Sequence, residues 1–244
     1  MSQFGAATVA ALLLTAYLVA GEPLVGRVLH RRFEVSLGRD RHARLWLYRR
    51  LLVLEWGLVA LVLLVVLVAP DVDLAALGLR RPSDVLTWAP LVVVAGVLAF
   101  AVGSLLALRS PPADEPSPLE SAPVAVSALI PRTRVQRRWF GLVSITAGIC
   151  EEVLYRGFFL LVLAALVPSF GDPLLVVVGG LAFGLAHFYQ GLTGVISTSV
   201  LGGVFSYLFL ATGSLLLPVV LHALIDLRLL AIPAGLLPAE HAHG

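Results

Sequence analysis

Polar and apolar positions in this chain alternate in long blocks, not residue by residue. Apolar runs recur near Phe4–Ala20, Leu51–Ala69, Val85–Leu108, Phe140–Val167, Pro173–Tyr189, Thr193–Ala211 and Leu215–Leu237. A helix crosses a bilayer with ~20 predominantly apolar residues, and shorter runs are tolerated. The blocks therefore predict seven membrane helices. A further apolar stretch, Val124–Ile130, leads through arginines to Trp139-Phe140 and reads as an interfacial or partly inserted segment. The expected fold is an all-α polytopic transmembrane bundle of about seven to eight helices.

Composition agrees with that class. Hydrophobic residues make up 59% of the chain, charged residues only 13%, and mean hydropathy is +0.97. A soluble domain cannot hide that much apolar surface. The net charge of +2 carries no sign of nucleic-acid binding, because the arginines sit between apolar runs. The expected partners are the lipid bilayer and no nucleic acid. Cys150 has no second cysteine to pair with, which excludes an internal disulfide framework. The first apolar run lacks the basic start of a cleaved signal peptide. Arginines from Arg27 to Arg50 crowd the first loop, and Arg132, Arg134, Arg137 and Arg138 the third, so both are expected to face the cytoplasm. Arg80 and Arg81 lie on the opposite side, beside Asp71, Asp73 and Asp84. Pro111 to Pro118 is too rich in proline for a helix and reads as a linker. The absence of lysine together with abundant arginine and alanine points to a GC-rich bacterium and a multi-pass plasma-membrane location.

An ionisable residue inside a span is costly and is treated first as functional. Within the predicted spans these are Glu55, Glu151, Glu152, Arg156, His187, His222, Asp226 and Arg228. Glu152 and Arg156 are four apart, on one helix face, and form a structural ion pair. Glu151 points about 100° away, at ~3.6 residues per turn, and is left without a local partner. His187 follows Phe183 by one turn, behind the close-packing pair Gly180 and Gly184. His222 and Asp226 again share a face. Counted at ~1.5 Å per residue, Glu151 lies ~17 Å, His187 ~21 Å and His222 ~11 Å from the ends of their spans. All three can meet in a central band. Glu55 could join the pocket, pair with the Trp56 indole or sit neutral, and helix packing is the preferred reading. Arg228 is expected to snorkel. Cys150 is expected to be a small core residue, since apolar surroundings disfavour a thiolate. Ser197, Ser199, Ser206 and Ser214 lack a nucleophile elbow and read as packing residues.

These three motifs, Glu-Glu-x-x-x-Arg, Phe-x-x-x-His and His-x-x-x-Asp, in order on successive apolar helices, resemble the CPBP family. This is the CAAX prenyl endopeptidase and bacteriocin-processing, or Abi, family. The resemblance covers roughly Arg137 to Leu236, with a looser likeness at Leu77-Gly78-Leu79-Arg80-Arg81-Pro82. It implies three parts: N-terminal membrane helices with the arginine-rich loop and proline-rich linker, 1–139; a catalytic helical core, 140–237; and a tail, 238–244. It further implies an intramembrane endopeptidase in which Glu151 is the base and His187 helps hold the attacking water. His222 and Asp226 would steady the oxyanion, Glu152 and Arg156 would be supports, and Phe183 would be a pocket wall. A dry site strengthens donors aimed at developing charge. The best-studied members carry asparagine where this chain has Asp226, and an ionised aspartate would repel an oxyanion. Asp226 is then protonated, or orients His222, or ligates a metal.

Four readings of the polar constellation stay open. The first is a glutamate-type protease without a cofactor. The second is a zinc protease with His187, His222 and Glu151 as ligands. The third is a non-catalytic peptide-binding or bacteriocin-immunity membrane protein, and the fourth a proton-coupled transporter, which the three-motif match argues against. For a protease, the substrate class expected is a peptide or a membrane-tethered protein.

Overall fold

The structure, a computed structural model, describes residues 1–82, 87–109 and 124–233. The proline-rich linker, Asp84 and the 238–244 tail lie outside the described residues. Among the described residues all regular structure is helical. We number the helices α1 (Ser2–Leu37), α2 (Ala43–Val68), α3 (Trp88–Arg109), α4 (Val124–Leu129), α5 (Arg134–Glu152), α6 (Leu160–Leu166), α7 (Asp172–Ala186), α8 (Gly191–Thr212) and α9 (Leu216–Leu227). A π-helical turn, Val153–Phe159, joins α5 to α6 without a break.

Among the described residues four helices are long and apolar enough to cross a membrane: α1, α2, α3, and the stretch Phe188–Thr212 that contains α8. Each of the seven apolar blocks is helical over most of its described residues, but several boundaries differ from expectation: α2 already begins at Ala43 and α5 at Arg134, so Arg44, Arg49, Arg50, Arg134, Arg137 and Arg138 are helical too. The first helix does not stop near Ala20. It runs to Leu37 and carries Arg27, Arg31 and Arg32, so these are helical and not loop residues. A π turn at Tyr17–Gly21 makes this possible. There the Glu22 N–H reaches back to the Tyr17 carbonyl, which restarts the helix just before Pro23. At that first-turn position a missing N–H costs little. The fifth block ends at Ala186, before His187, and the last at Leu227, where a 3₁₀ turn over Arg228–Ala231 takes over.

Local chemistry sets how α5 starts. Thr133 is its N-cap: its hydroxyl accepts from the Gln136 N–H at 3.2 Å, and Gln136 Oε1 accepts from the Thr133 N–H at 3.3 Å. This capping box satisfies two otherwise orphaned donors. Farther along, Gly148 lets α9 close in, since a Cβ there would stand 2.9 Å from the Ala223 nitrogen. Among the described residues, helices α7 and α8 form the most extensive contact. Gly180 lies there so near α8 that a Cβ would come within 2.7 Å of the Ser199 carbonyl. This is the small-residue packing that membrane helices use in place of a hydrophobic drive.

The segment after α2 docks on the turn between α8 and α9. Gly78 takes φ +78°, and its carbonyl accepts from the Leu215 N–H at 3.0 Å. Arg80 Nε donates to the Gly213 carbonyl at 2.7 Å, and Ser214 Oγ donates to the Arg80 carbonyl at 2.6 Å. The Leu77-to-Pro82 motif is therefore a clamp on the end of the α8–α9 hairpin, and Arg80 spends its charge there.

Candidate active site

The end of α5, the end of α7 and the middle of α9 bring Glu151, Glu152, His187, His222 and Asp226 together. Glu151 Oε2 lies 3.9 Å from His187 Nε2 and 3.8 Å from His222 Nε2. That oxygen is buried and has no hydrogen-bond partner in the protein. The Phe183 carbonyl, 3.0 Å from His187 Nδ1, can only accept. Nδ1 therefore carries the proton, and Nε2 of a neutral ring presents a lone pair to Glu151.

Glu152 does more than pair with Arg156. Its Oε1 accepts from Arg156 at 3.0 Å and lies 2.7 Å from His222 Nδ1. Glu152 and Arg156 are both fully buried. The guanidinium also donates to the Gly202 carbonyl at 3.1 Å and lies over the Phe183 ring, 4.2 Å from its centroid. Glu152 thus turns His222 so that Nε2 faces Glu151 and Asp226. Asp226 Oδ2 stands 3.8 Å from that nitrogen, beyond hydrogen-bonding distance, with its side chain 35% exposed. The orienting partner of His222 is Glu152, so that role does not fall to Asp226. Phe183 packs edge-on to His222, with centroids 5.9 Å apart, and beside His187 at 4.7 Å.

Glu151, Phe183, His187, His222 and Asp226 line a cavity of about 810 Å³ that reaches to α1, α2 and α3. Glu55 lines it, with one buried oxygen unpartnered. The Trp56 indole donates instead to Thr146 Oγ1 at 3.3 Å, so a Glu55–Trp56 pair does not form. Arg228 does not snorkel. It donates to Ser104 Oγ at 3.1 Å and to the Ile225 carbonyl, and it too lines the cavity. Cys150 is a fully buried core residue. Glu22, His30, Tyr155 and Tyr189 also line the cavity, and sequence reasoning missed all four. For Glu22 and His30 the signal was the four-residue spacing of Glu22, Gly26 and His30, one helix face continuing past Pro23.

Donor types here suit zinc, and both imidazoles have their second nitrogen anchored, as metal-bound histidines do. To hold one ion the three side chains would have to close in by roughly half an ångström. A tetrahedral zinc with bonds near 2.0–2.1 Å holds its donors about 3.3 Å apart, and the separations here are 3.8 and 3.9 Å. Among the described residues no three His, Cys, Asp or Glu side chains are grouped to hold a metal ion.

In this helical bundle a buried acid faces two anchored imidazoles at the edge of a large cavity. Residues 135–228, from the start of α5 to just past α9, match the family model described as Type II CAAX prenyl endopeptidase Rce1-like. That match agrees with the resemblance to the CPBP family: the chain is a helical membrane protein whose residues 135–228 are similar to a CAAX-type prenyl endopeptidase domain. No curated protein and no solved structure is significantly similar to this chain.

Proposed function

We propose that the protein is a multi-pass endopeptidase of the bacterial plasma membrane that cuts a peptide bond of a membrane-associated peptide or protein, with Glu151 as general base. One observation carries this reading: a buried carboxylate oxygen without a partner faces the free nitrogens of two anchored imidazoles. A water placed between them gives one hydrogen to Glu151 and the other to the lone pair of His187 Nε2. Its own lone pair is then left to attack a carbonyl carbon. Glu151 takes the proton as the new C–O bond forms and returns it to the leaving amine. His222 Nε2, a donor when the ring carries both protons, faces the oxygen on which negative charge develops. Glu152 and Arg156 hold His222 in place, and Asp226 flanks it. No step is routed through a metal.

Glu151→Gln keeps the size of the side chain and removes the base. It is expected to lower cleavage by about 10²- to 10⁴-fold, the usual worth of general base catalysis. A proteomic comparison of cells carrying wild-type protein or Glu151→Gln should show at least one membrane substrate left uncut. Identical proteomes at equal expression would remove the protease reading. Resistance of the purified protein to chelators separates it from a zinc enzyme.

A further inference from the structure

Away from Glu151, the same cavity holds three unpartnered acceptors and few free donors. Glu22 Oε2 and Glu55 Oε2 are buried and without a hydrogen-bond partner. Glu22, Glu55 and Glu151 all line this one cavity. His30 is an independent third. It is only 4% exposed, and its Nδ1 is 3.2 Å from the Gly26 carbonyl one turn back on its own helix. That carbonyl takes the ring proton. Nε2, at the far edge of the ring, is left as an unpartnered acceptor on a residue that lines the cavity. Stacking on Tyr189, with centroids 3.6 Å apart and planes 16° from parallel, fixes the ring.

Most lining groups that could donate are already committed; the Tyr189 hydroxyl, which accepts from Gln190 Nε2 at 3.0 Å, keeps its own proton. The hydroxyls of Tyr48, Tyr155, Ser144 and Thr198 are spent on backbone carbonyls. Arg228 is the one Lys or Arg among the described lining residues, and it is tied to Ser104 and Ile225. Buried acceptors without donors are costly. The group that completes them must bring several N–H bonds and positive charge, and it must reach into an otherwise apolar cavity along a flexible stem. A guanidinium or ammonium on an aliphatic chain meets that description.

Resting on the protease reading, we propose that Glu22, Glu55 and His30 form a subsite for a basic side chain of the substrate, arginine or lysine, close to the bond that is cut. The test uses full-length Glu151→Gln protein in detergent, so that binding is measured without cleavage. The probes are fluorescein-labelled apolar dodecapeptides, identical except that arginine, or its uncharged isostere citrulline, is moved through each position. At one position the arginine peptide should bind about tenfold or more tighter, the scale of a charge-assisted hydrogen-bond set. Adding Glu22→Gln and Glu55→Gln should bring that ratio close to one. Where the combined variant does not fold, Glu55→Gln alone is scored by the same ratio, which does not depend on the fraction of active protein. A ratio near one at every position, or one that survives the substitutions, overturns the subsite. The two ideas fail separately: an arginine preference in a protein that cuts nothing in cells removes only the protease reading, and cleavage without the preference removes only the subsite.

Discussion

Arg156 carries more of this structure than its role in a helical ion pair would suggest. It is fully buried. It neutralises Glu152, donates to the α8 backbone at Gly202, and packs over Phe183 and Phe205. Removing one partner of a buried pair leaves an uncompensated charge, which typically costs about 3–5 kcal/mol. Arg156→Ala is therefore expected to lower the thermal unfolding midpoint in detergent by many degrees. Arg156→Lys should recover only part of the loss, because an ammonium lacks the planar fork that serves Glu152 and Gly202 together. An Arg156→Ala protein that melts with the wild type would contradict this account. The Glu152–Arg156 pair was legible from spacing alone. The second duty of Glu152, turning His222, was not, since nothing local to α5 says which helix will pack beside it.

At the scale of elements, the site depends on how closely α9 approaches α5. Gly148 sits one turn before Glu152, and a Cβ there would stand 2.9 Å from the Ala223 nitrogen and 3.1 Å from the Val219 carbonyl. Backbone atoms cannot step aside as a flexible side chain can, so Gly148→Ala must push the helices apart. Glu152 Oε1 and His222 Nδ1 lie across this contact at 2.7 Å, and a shift of even ~1 Å in a positioned group can cost 10²-fold in rate. We expect Gly148→Ala to remain helical by circular dichroism yet to lose at least tenfold in substrate cleavage. Full cleavage by a folded variant would show that the α5–α9 spacing is not critical. The π turns follow the same logic. One carries α1 past Pro23 toward the cavity, and the other follows Glu152 directly. Hydrophobic runs reported where helices exist but not these extra residues per turn.

For the whole molecule, orientation in the membrane is the open geometric matter, and the fold supplies an argument. Arg44 Nε donates to the Ala128 carbonyl at 2.9 Å, and the Tyr48 hydroxyl to Leu129 at 2.5 Å. The arginine-rich turn before α2 and the segment leading to α5 therefore share one end of the bundle. The residues after α2, with Arg80, clamp the opposite end at Gly213. With positive charge favouring the cytoplasm, a thiol reagent that does not cross membranes should behave differently at the two ends. On a Cys150→Ala background, Arg39→Cys is expected to react only in inverted vesicles and Ala75→Cys only in intact cells. The opposite pattern would reverse the orientation.

Composition and block hydropathy alone settled that this is an all-helical membrane protein, because the need to bury every backbone polar group in lipid leaves a chain this apolar few other forms. Spacing of four residues placed Glu152 against Arg156, Phe183 beside His187 and His222 near Asp226, since one turn of helix is a local quantity. Only tertiary packing decided that Glu152 orients His222 and that Arg228 turns inward. It also decided that Glu22 and His30, far away in the chain, share a cavity with Glu151. Those outcomes depend on which helices touch and at what height. That is set by glycine contacts and π turns whose effects appear only when the whole bundle closes.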